Sequence, residues 1–363
     1  MTIELSVATA LIDHQALQHN ALQIRQLTSH SQIMAMIKAD GYGHGLLQVA
    51  QALSSVDSFG VARLEEALQL REVGIIKPIV VFNSVPSMQA ITLSCQYQLT
   101  LVLHSLEQLA YLEQAIVNKP IRVWLKIDTG LHRLGITAQQ AAAVYQRLSH
   151  CRNVQQPIGL LSHFSRSDEL TAEPTQRQIT QFDDFARGKP GLQSLASSCA
   201  ILQWPQSHRD CVRPGLLLYG ISPLSGVLAS ELGLRPVMTL QSQLLAVREH
   251  PAGAPVGYGA DWHSQQATRL GVVALGYGDG YPRDAPSGTP LLVNGRRVPL
   301  VGRVSMDLLT VDLGPDATER SGAAVTAWGA ALPVETVAQH LGVSAYELVT
   351  RLTNRVIKQI VIK

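Results

Sequence analysis

The chain has 363 residues, of which 46% are hydrophobic and 15% charged, with a formal net charge of +2. This composition excludes a disordered or fibrous chain, and the length predicts two domains or one large barrel with an appendage. The near-neutral charge argues against nucleic acid as a partner, and the absence of a basic leader or an apolar run of about 18 residues predicts a cytoplasmic protein without a membrane partner.

The first distinctive segment is an apolar run that ends at a lysine and a glycine-rich turn. Residues 34–37 are typical of a strand buried on both faces, Lys38 stands at its end, and glycines alternate through 41–45. Partial desolvation there favours the neutral, nucleophilic amine that forms Schiff bases. Tyr42 and the amides of the turn could approach an anion. Alone, the segment also fits a strand-end lysine that reaches solvent beside an ordinary turn.

Strands and helices alternate through the first two-thirds of the chain, beginning with a helix that Asp13 can cap. The predicted strands cover 33–39, 58–62, 79–82, 99–103, 122–128, 157–164, 194–198 and 212–219. Capping boxes starting at Ser105, Thr137 and Thr175 predict the beginnings of three of the helices. About eight such units predict an N-terminal (β/α)8 TIM-like barrel over residues 1–231, although a doubly wound open sheet would also alternate.

Polar side chains at or near the ends of these strands favour the barrel over the open sheet. They are Lys38, Asn83, Lys126, Asp128, His163, Ser197, Ser198 and Arg213. In a barrel the carboxyl ends of all strands surround one mouth, whereas an open sheet would not gather so many polar groups in one place. We therefore expect a site at the carboxyl end of a barrel.

From about residue 232 the helical spacers disappear, and residues 232–363 predict a mostly β domain with which the first few residues of the chain could pair. The predicted strands cover 238–247, 269–275, 291–293, 298–304, 308–313, 324–327 and 355–362, and two short helices cover 333–341 and 345–352. Glycine-flanked tyrosines lie in turns at 256–259 and 276–283, and a third unusual turn covers 302–307. Such residues are often ordinary turn residues, but together these turns could complete the barrel mouth of another subunit.

The cysteines and histidines predict no metal site. Cys95, Cys151, Cys199 and Cys211 lie far apart and never in Cys-x-x-Cys spacing, so reduced thiols are expected. The twelve histidines show no His-x-x-x-His spacing that would bring two ligands to one helix face.

Five spaced motifs, which together cover nearly the whole chain, are similar to those of the alanine racemase family of pyridoxal phosphate (PLP) enzymes. They lie at 38–45, 126–135, 212–215, 276–280 and 305–307. The resemblance implies a homodimer with shared active sites that interconverts L-alanine and D-alanine, supplying or recycling D-alanine for peptidoglycan. The alternatives are a PLP-dependent amino-acid decarboxylase on the same architecture, a non-catalytic PLP-binding protein and a cofactor-free Schiff-base aldolase.

The resemblance implies two proton-transferring bases. Lys38 would bind PLP as a Schiff base and serve the D-enantiomer, while the partner subunit's Tyr258 would serve the L-enantiomer from the opposite face of Cα. Racemisation requires this arrangement because a proton removed from one face must return on the other. Since an ordinary tyrosine has a pKa of about 10, a nearby cation is expected to stabilise the phenolate.

The resemblance also implies the groups that would hold the cofactor. Arg213 would face the pyridine nitrogen and leave it unprotonated, with His163 orienting Arg213. The phosphate-binding groups would be Tyr42, Ser198, the amides of Gly215 and Leu216, and Tyr346.

The substrate carboxylate would meet Arg133 and the backbone of the partner subunit's Met306. Lys126 would be either a carbamylated lysine that fixes Arg133 or an unmodified strand-end lysine, and Tyr277 and Asp307 would shape the entrance. Ser197, Cys211 and the segment 81–84 depart from the usual family residues, which leaves pocket size and substrate breadth open.

Overall fold

The computed structural model describes residues 8–169 and 173–361, and its first large sheet is parallel. Eight strands of this sheet follow one another as Gln32–Met36, Ser58–Val61, Ile79–Val81, Thr100–Leu103, Ile121–Asp128, Val154–Leu161, Gln193–Ser194 and Cys211–Val212. The last strand pairs with the first. It approaches the seventh through a bridge between Ser197 and Arg213 and a hydrogen bond of 2.8 Å from Arg213 N to the Ala196 carbonyl. The sheet is therefore a nearly closed barrel, which confirms the predicted fold class.

Helices separate these strands, and one short strand, Ile136–Thr137, pairs beside Ile121–Asp128. The helices are His14–Leu27, Leu46–Ala52, Leu64–Glu72, Met88–Gln96, Leu106–Gln114, Ala138–His150, Glu173–Ala186 and Ser198–Gln203, with 3-10 helices at Pro205–Ser207, Leu216–Tyr219 and Ala229–Leu232. Asp13 caps the first helix as predicted, because its carboxylate accepts from Ala16 N at 2.9 Å.

Of the three predicted capping residues, Ser105 is confirmed, and Thr137 and Thr175 are wrong. Ser105 does cap its helix, since its hydroxyl accepts from Gln108 N at 3.3 Å, although the Gln108 side chain turns back to the amide of His104. The other two boxes are wrong. Thr137 precedes its helix but donates to the side-chain oxygen of Gln140, and Thr175 lies inside a helix and donates to the Arg166 carbonyl at 3.0 Å. In both cases the threonine hydroxyl donates to another acceptor and does not accept from a helix amide among the described residues.

The predicted eighth strand, 212–219, is wrong beyond its first residue. The strand is Cys211–Val212, and the chain then turns into the 3-10 helix Leu216–Tyr219. Pro214 explains the change, because it has no N–H to continue a ladder and its carbonyl instead accepts from Met36 N at 2.9 Å. The seventh strand is likewise shorter than predicted, because a helix begins at Ser198.

The second large sheet contains the predicted β elements of the last third of the chain. It consists of Arg296–Pro299, Pro290–Val293, Ala324–Trp328, Met238–His250, Thr9–Asp13 and Ile357–Val361 in that order, with Thr268–Val273 and Leu309–Asp312 beside them. A two-stranded hairpin pairs Pro255–Val256 with Trp262–His263, and helices cover Val334–Leu341 and Ala345–Thr350. The predicted strand 298–304 is wrong after Pro299, and Ile362, the predicted end of the last strand, lies outside the described residues.

The strand Thr9–Asp13 connects the two ends of the chain. It pairs antiparallel with Met238–His250 and parallel with Ile357–Val361, so the start of the chain joins the second sheet. The remaining N-terminal residues, 1–7, lie outside the described part. Within the described ranges, no helix has the length and apolar character needed to cross a membrane.

Candidate active site

A cavity of about 420 Å³ opens among residues at the carboxyl ends of the barrel strands. The residues predicted from the sequence that line it are Lys38, Tyr42, Asn83, Lys126, Arg133, His163, Ser197, Ser198, Arg213, Gly215 and Tyr346. All but Tyr346 come from the barrel, and Tyr346 comes from the helix Ala345–Thr350. The strand-end rule therefore located most of the cavity wall.

Lys38 and Tyr42 reach the cavity from an unusual left-handed turn. Ala39, Asp40 and Tyr42 have φ values of 52°, 54° and 53°, and the glycines between and after them continue the same hand. Residues with a Cβ rarely adopt this conformation, so the surrounding contacts must hold it. Glu66 provides one such contact, since its carboxylate accepts from Ala39 N at 2.6 Å.

The cavity is lined by positive charge. Lys38, Lys126, Arg133 and Arg213 all border it, and no Asp or Glu is among the described residues of its wall. Burial, followed by the charge of Arg133, lowers the pKa of Lys38, while Glu66 opposes that shift. Burial, followed by Arg213 and Arg133, lowers the pKa of Lys126 to about 8. Such a cavity is suited to an anionic ligand, whose charge would offset the mutual repulsion.

Arg213 is fixed deep in the wall. Its guanidinium donates to Ser194 Oγ at 2.6 Å and to the carbonyls of Ser162 and Leu195 at 2.5 and 3.1 Å. Burial lowers its pKa to about 10, so the group remains protonated at neutral pH.

His163 lines the same wall as Arg213, and its role in orienting Arg213 stays a prediction. The three contacts of Arg213 go to Ser194, Ser162 and Leu195. Burial, followed by the positive charges of Arg213 and Lys126, lowers the pKa of His163 to about 3. His163 is therefore a neutral imidazole beside the guanidinium.

One end of the cavity forms a cradle of hydroxyl and amide groups. Ser198 Oγ accepts from Gly215 N at 2.9 Å, and the Tyr42 hydroxyl lies so close to Gly215 that a Cβ there would stand 2.5 Å from it. Leu216 opens the 3-10 helix, so its amide lacks an intrahelical acceptor. Tyr346 leans over this end, with its ring centroid 5.9 Å from that of Tyr42. These groups can hold a phosphate.

The loop that carries Arg133 is held by Asp128. This carboxylate accepts from the amides of Gly130, Leu131 and His132 at 3.0 to 3.1 Å, so it organises the loop from below and does not line the cavity. Lys126, which is only 8% exposed, lies on the strand immediately before it. Arg133 and Lys126 thereby approach the same space.

Four predicted site residues from the last third of the chain do not line the cavity of their own chain: Tyr258, Tyr277, Met306 and Asp307. Tyr258 and Met306 are 72% and 53% exposed. The three turns named from the sequence nevertheless form one surface. Gly278 N donates to the Met306 carbonyl at 2.8 Å, and Tyr277 N donates to the Ser305 carbonyl at 3.0 Å. Gly302 packs against Val256 in the turn that carries Tyr258. Asp307 forms an ion pair with Arg355 at 2.7 Å.

Sequence reasoning missed several residues that support the site. Ser162 and Ser194 anchor Arg213, Glu66 caps the left-handed turn, and Lys358 pairs with Asp40. Ser162 follows the observed strand Val154–Leu161 and Ser194 ends the strand Gln193–Ser194, but the predicted strands 157–164 and 194–198 placed neither serine at a carboxyl end. Glu66 and Lys358 act across long sequence separations, and no local pattern indicates them.

Family models and relatives of known name match this chain. The family model described as alanine racemase, N-terminal domain, matches residues 12–223, and that described as alanine racemase, C-terminal domain, matches residues 237–360. An alanine racemase of Pectobacterium carotovorum subsp. carotovorum (strain PC1) is 57% identical over 351 residues, covering 97% of this chain and 98% of the relative. A protein of Escherichia coli O6:H1 named "Alanine racemase, biosynthetic" is 54% identical over 354 residues, with the same coverage.

Solved structures agree with the curated relatives. The biosynthetic alanine racemase from Pseudomonas aeruginosa superposes with a TM-score of 0.95 at 40% identity, covering 98% of this chain and all of that one. The alanine racemase from Acinetobacter baumannii superposes with a TM-score of 0.92 at 35% identity, with the same coverage.

Proposed function

The chain belongs to the alanine racemase family, and from this premise we propose that it interconverts L-alanine and D-alanine with PLP bound through Lys38. The observation that carries the proposal is the cavity itself. A lysine with a lowered pKa, a phosphate-sized cradle and three further cationic side chains surround one space at the carboxyl end of the barrel. The relatives described above are named racemases, which does not favour a decarboxylase or a non-catalytic PLP-binding protein.

The residues of the cavity fit PLP. The cradle of Tyr42, Ser198, Gly215 and Leu216 would receive the phosphate, with Tyr346 closing over it. The cofactor, when bound, would supply an electron sink for the negative charge left at the substrate Cα.

Arg213 would donate to the ring nitrogen of the cofactor. Because its guanidinium remains protonated, that nitrogen would remain unprotonated and would accept less charge than one paired with a carboxylate. The contacts from Ser194 and two carbonyls hold Arg213 for this task, and the neutral His163 adds no competing charge. This arrangement would limit side reactions that follow extensive delocalisation.

Two groups would move protons. The Lys38 amine would take the Cα proton of D-alanine, and its lowered pKa increases the fraction of amine free to accept it. The hydroxyl of the partner subunit's Tyr258 would return a proton on the opposite face. For L-alanine, the partner subunit's Tyr258 would take the Cα proton and Lys38 would return one. The 72% exposure of Tyr258, outside the cavity of its own chain, supports its use by a second copy in a homodimer.

Substrate binding would use the remaining charges. Arg133 would receive the substrate carboxylate, joined by the backbone of the partner subunit's Met306, and Tyr277 and Asp307 would border the entrance. Lys126 could act in either of two forms. As an amine with a pKa of about 8, it is partly neutral in mildly alkaline solution. As a carbamate, it would carry a negative charge that attracts Arg133.

The biological role would be the supply or recycling of D-alanine for peptidoglycan. We propose that the protein acts in the cytoplasm. The four free cysteines support this location, because thiols stay reduced in that compartment. We also divide the chain at residues 231 and 232, so that residues 1–231 form the cofactor-binding unit and 232–363 the unit that serves the partner subunit.

The test combines absorbance with chiral analysis. Purified protein should show a visible cofactor band and convert each alanine enantiomer into the other, and Lys38→Ala should abolish the band and reduce racemisation by about 10³-fold or more. Lys119→Ala, an exposed lysine near the opposite end of the barrel, is the matched control and should behave as wild type. Release of carbon dioxide without racemisation would contradict the proposal, as would a band that survives in Lys38→Ala.

A further inference from the structure

The left-handed turn after Lys38 is a strained segment at the centre of the site. Ala39, Asp40 and Tyr42 adopt positive φ, and each carries a Cβ that makes this conformation unfavourable. Lys38 begins this turn and Tyr42 ends it, so the turn determines where the amine and the hydroxyl stand. Strain of this kind persists only where surrounding contacts compensate for it.

The barrel holds the turn from one side. Glu66 accepts from Ala39 N at 2.6 Å with one carboxylate oxygen and from the amides of Ala62 and Arg63 at 2.9 and 3.0 Å with the other. This carboxylate therefore ties the start of the turn to the next strand of the barrel. It does not reach Asp40 or the residues that follow.

The last strand of the second sheet holds the turn from the other side. Asp40 accepts from Leu46 N at 2.8 Å with one oxygen and pairs with Lys358 Nζ at 2.5 Å with the other. The Lys358 side chain is only 17% exposed, and its stem passes over Gly45, where a Cβ would lie 3.6 Å from Lys358 Cδ. The Asp40 side chain is 53% exposed, so the contribution of the pair is expected to be modest and to depend on the packed Lys358 stem.

A neighbouring contact strengthens the same connection. Gly43 approaches the backbone of the helix Ala345–Thr350 so closely that a Cβ there would stand 1.8 Å from the Val349 carbonyl oxygen. The second sheet and its helix thus touch the turn at both Gly43 and Asp40. The ion pair is the only charged contact between Asp40 and the second sheet among the described residues.

We propose that Lys358, 320 residues distant in sequence from Lys38, is a positioning residue of the active site, whose ion pair with Asp40 holds the left-handed turn in place. The holding of the turn follows from the contacts alone, and its effect on cofactor and substrate rests on the proposed function. Without the ammonium, the Asp40 carboxylate retains only its bond to Leu46 N among the described residues, and the turn gains conformations in which the Lys38 amine and the Tyr42 hydroxyl are displaced.

The direct test is amide hydrogen exchange over residues 39–46 in the holoenzyme, with three lysine variants. Lys358→Met removes the charge while keeping the stem and should accelerate exchange in this segment by about threefold to tenfold, leaving the barrel strands unchanged. Lys358→Arg should restore slow exchange because it keeps the charge. Lys119→Met, the same substitution at an exposed lysine near the opposite end of the barrel, should have no effect. Exchange in Lys358→Met equal to wild type would overturn the proposal.

A second measurement follows the consequence for the cofactor. The dissociation constant of PLP should rise by about threefold to tenfold in Lys358→Met and in Asp40→Asn, and the double variant should lose no more than either single one, because both remove the same pair. Additive losses would overturn the pairing. If Lys358→Met shows the faster exchange but wild-type protein does not racemise alanine, the proposed function fails while the positioning role stands.

Discussion

At the scale of single residues, the site is governed by buried titratable groups for which burial and neighbouring cations outweigh the nearby carboxylates. Lys126 and His163 illustrate this, because both have lowered pKa values that arise first from burial and then from neighbouring cations. A bound anion would offset the repulsion between the positive charges around these groups. Residue type and strand-end position could be read from the sequence, but the mutual repulsion depends on distances that only the fold sets.

A pH effect is predicted for His44, which lies fully buried against Tyr219 with its ring centroids 4.6 Å apart. Burial lowers its pKa from 6.5 to about 4, so as pH falls the unfolded chain binds a proton before the folded one does. The free energy of unfolding should therefore fall through this window, with His44 accounting for about 2 kcal/mol between pH 7 and 5.

The check is urea unfolding of His44→Asn at both pH values. Asparagine keeps an N–H near the position of Nδ1, which contacts the Tyr42 carbonyl at 2.8 Å, but it does not titrate. The variant should lose about 2 kcal/mol less than wild type between pH 7 and 5. An identical pH dependence in the two proteins would remove His44 from this account.

Tyr258→Phe tests the second proton carrier. Removing the hydroxyl should slow proton abstraction from L-alanine by about 10²-fold or more, and abstraction from D-alanine far less, because Lys38 still serves that enantiomer. The measurement is exchange of the α-proton with deuterated water, followed separately from each enantiomer. Tyr111→Phe, at an exposed tyrosine on the barrel helix Leu106–Gln114, is the matched control and should behave as wild type. Equal losses for both enantiomers in Tyr258→Phe would contradict the assignment.

At the scale of elements, the left-handed turn at 39–43 and the cradle at 198 and 215–216 position the chemistry. The sequence predicted a glycine-rich turn after the strand, but the strand predicted over 33–39 ends at Met36, and Lys38 begins the turn. The sequence did not predict that Ala39, Asp40 and Tyr42 would share the left-handed conformation, because that preference is imposed by Glu66, Lys358 and the Val349 backbone.

The turn yields a prediction with a matched pair of glycines. Gly43 has φ +79° and would place a Cβ 1.8 Å from the Val349 oxygen, whereas Gly74 has φ +83° and no atom within 4 Å of its added Cβ. Gly74→Ala should therefore cost about 1 kcal/mol of stability from backbone strain alone. Gly43→Ala should cost more than about 3 kcal/mol and weaken cofactor binding, since backbone must also move. Thermal unfolding with and without PLP would measure both, and similar losses would contradict the close packing.

The errors in the sequence-based elements share a cause. The strand predicted over 212–219 stops at Val212 because Pro214 cannot donate, and the capping box at Thr175 fails because the Arg166 carbonyl offers a better partner. Periodicity identified most of the elements of the barrel and of the second sheet correctly. Periodicity does not register a single residue without an N–H, such as Pro214, or a competing acceptor, such as the Arg166 carbonyl, and either can end or shift an element.

At the scale of the whole molecule, the two sheets supply different parts of the proposed reaction. The barrel provides Lys38, Arg133 and Arg213, while Tyr258 and Met306 lie exposed in turns of the last third of the chain. The change of pattern near residue 232 predicted this division from the sequence. The sequence could not predict that Thr9–Asp13 pairs with both Met238–His250 and Ile357–Val361, because a five-residue strand carries no signal for its distant partners.

The central claim is that each active site combines Lys38 of one subunit with the partner subunit's Tyr258. The most direct test is a heterodimer of Lys38→Ala and Tyr258→Phe chains, isolated with two affinity tags after co-expression. One of its two sites would contain both intact residues, so L-alanine turnover should be about half that of wild type per dimer, far above either parent homodimer. Turnover no higher than the mean of the two parents would contradict a site shared between subunits.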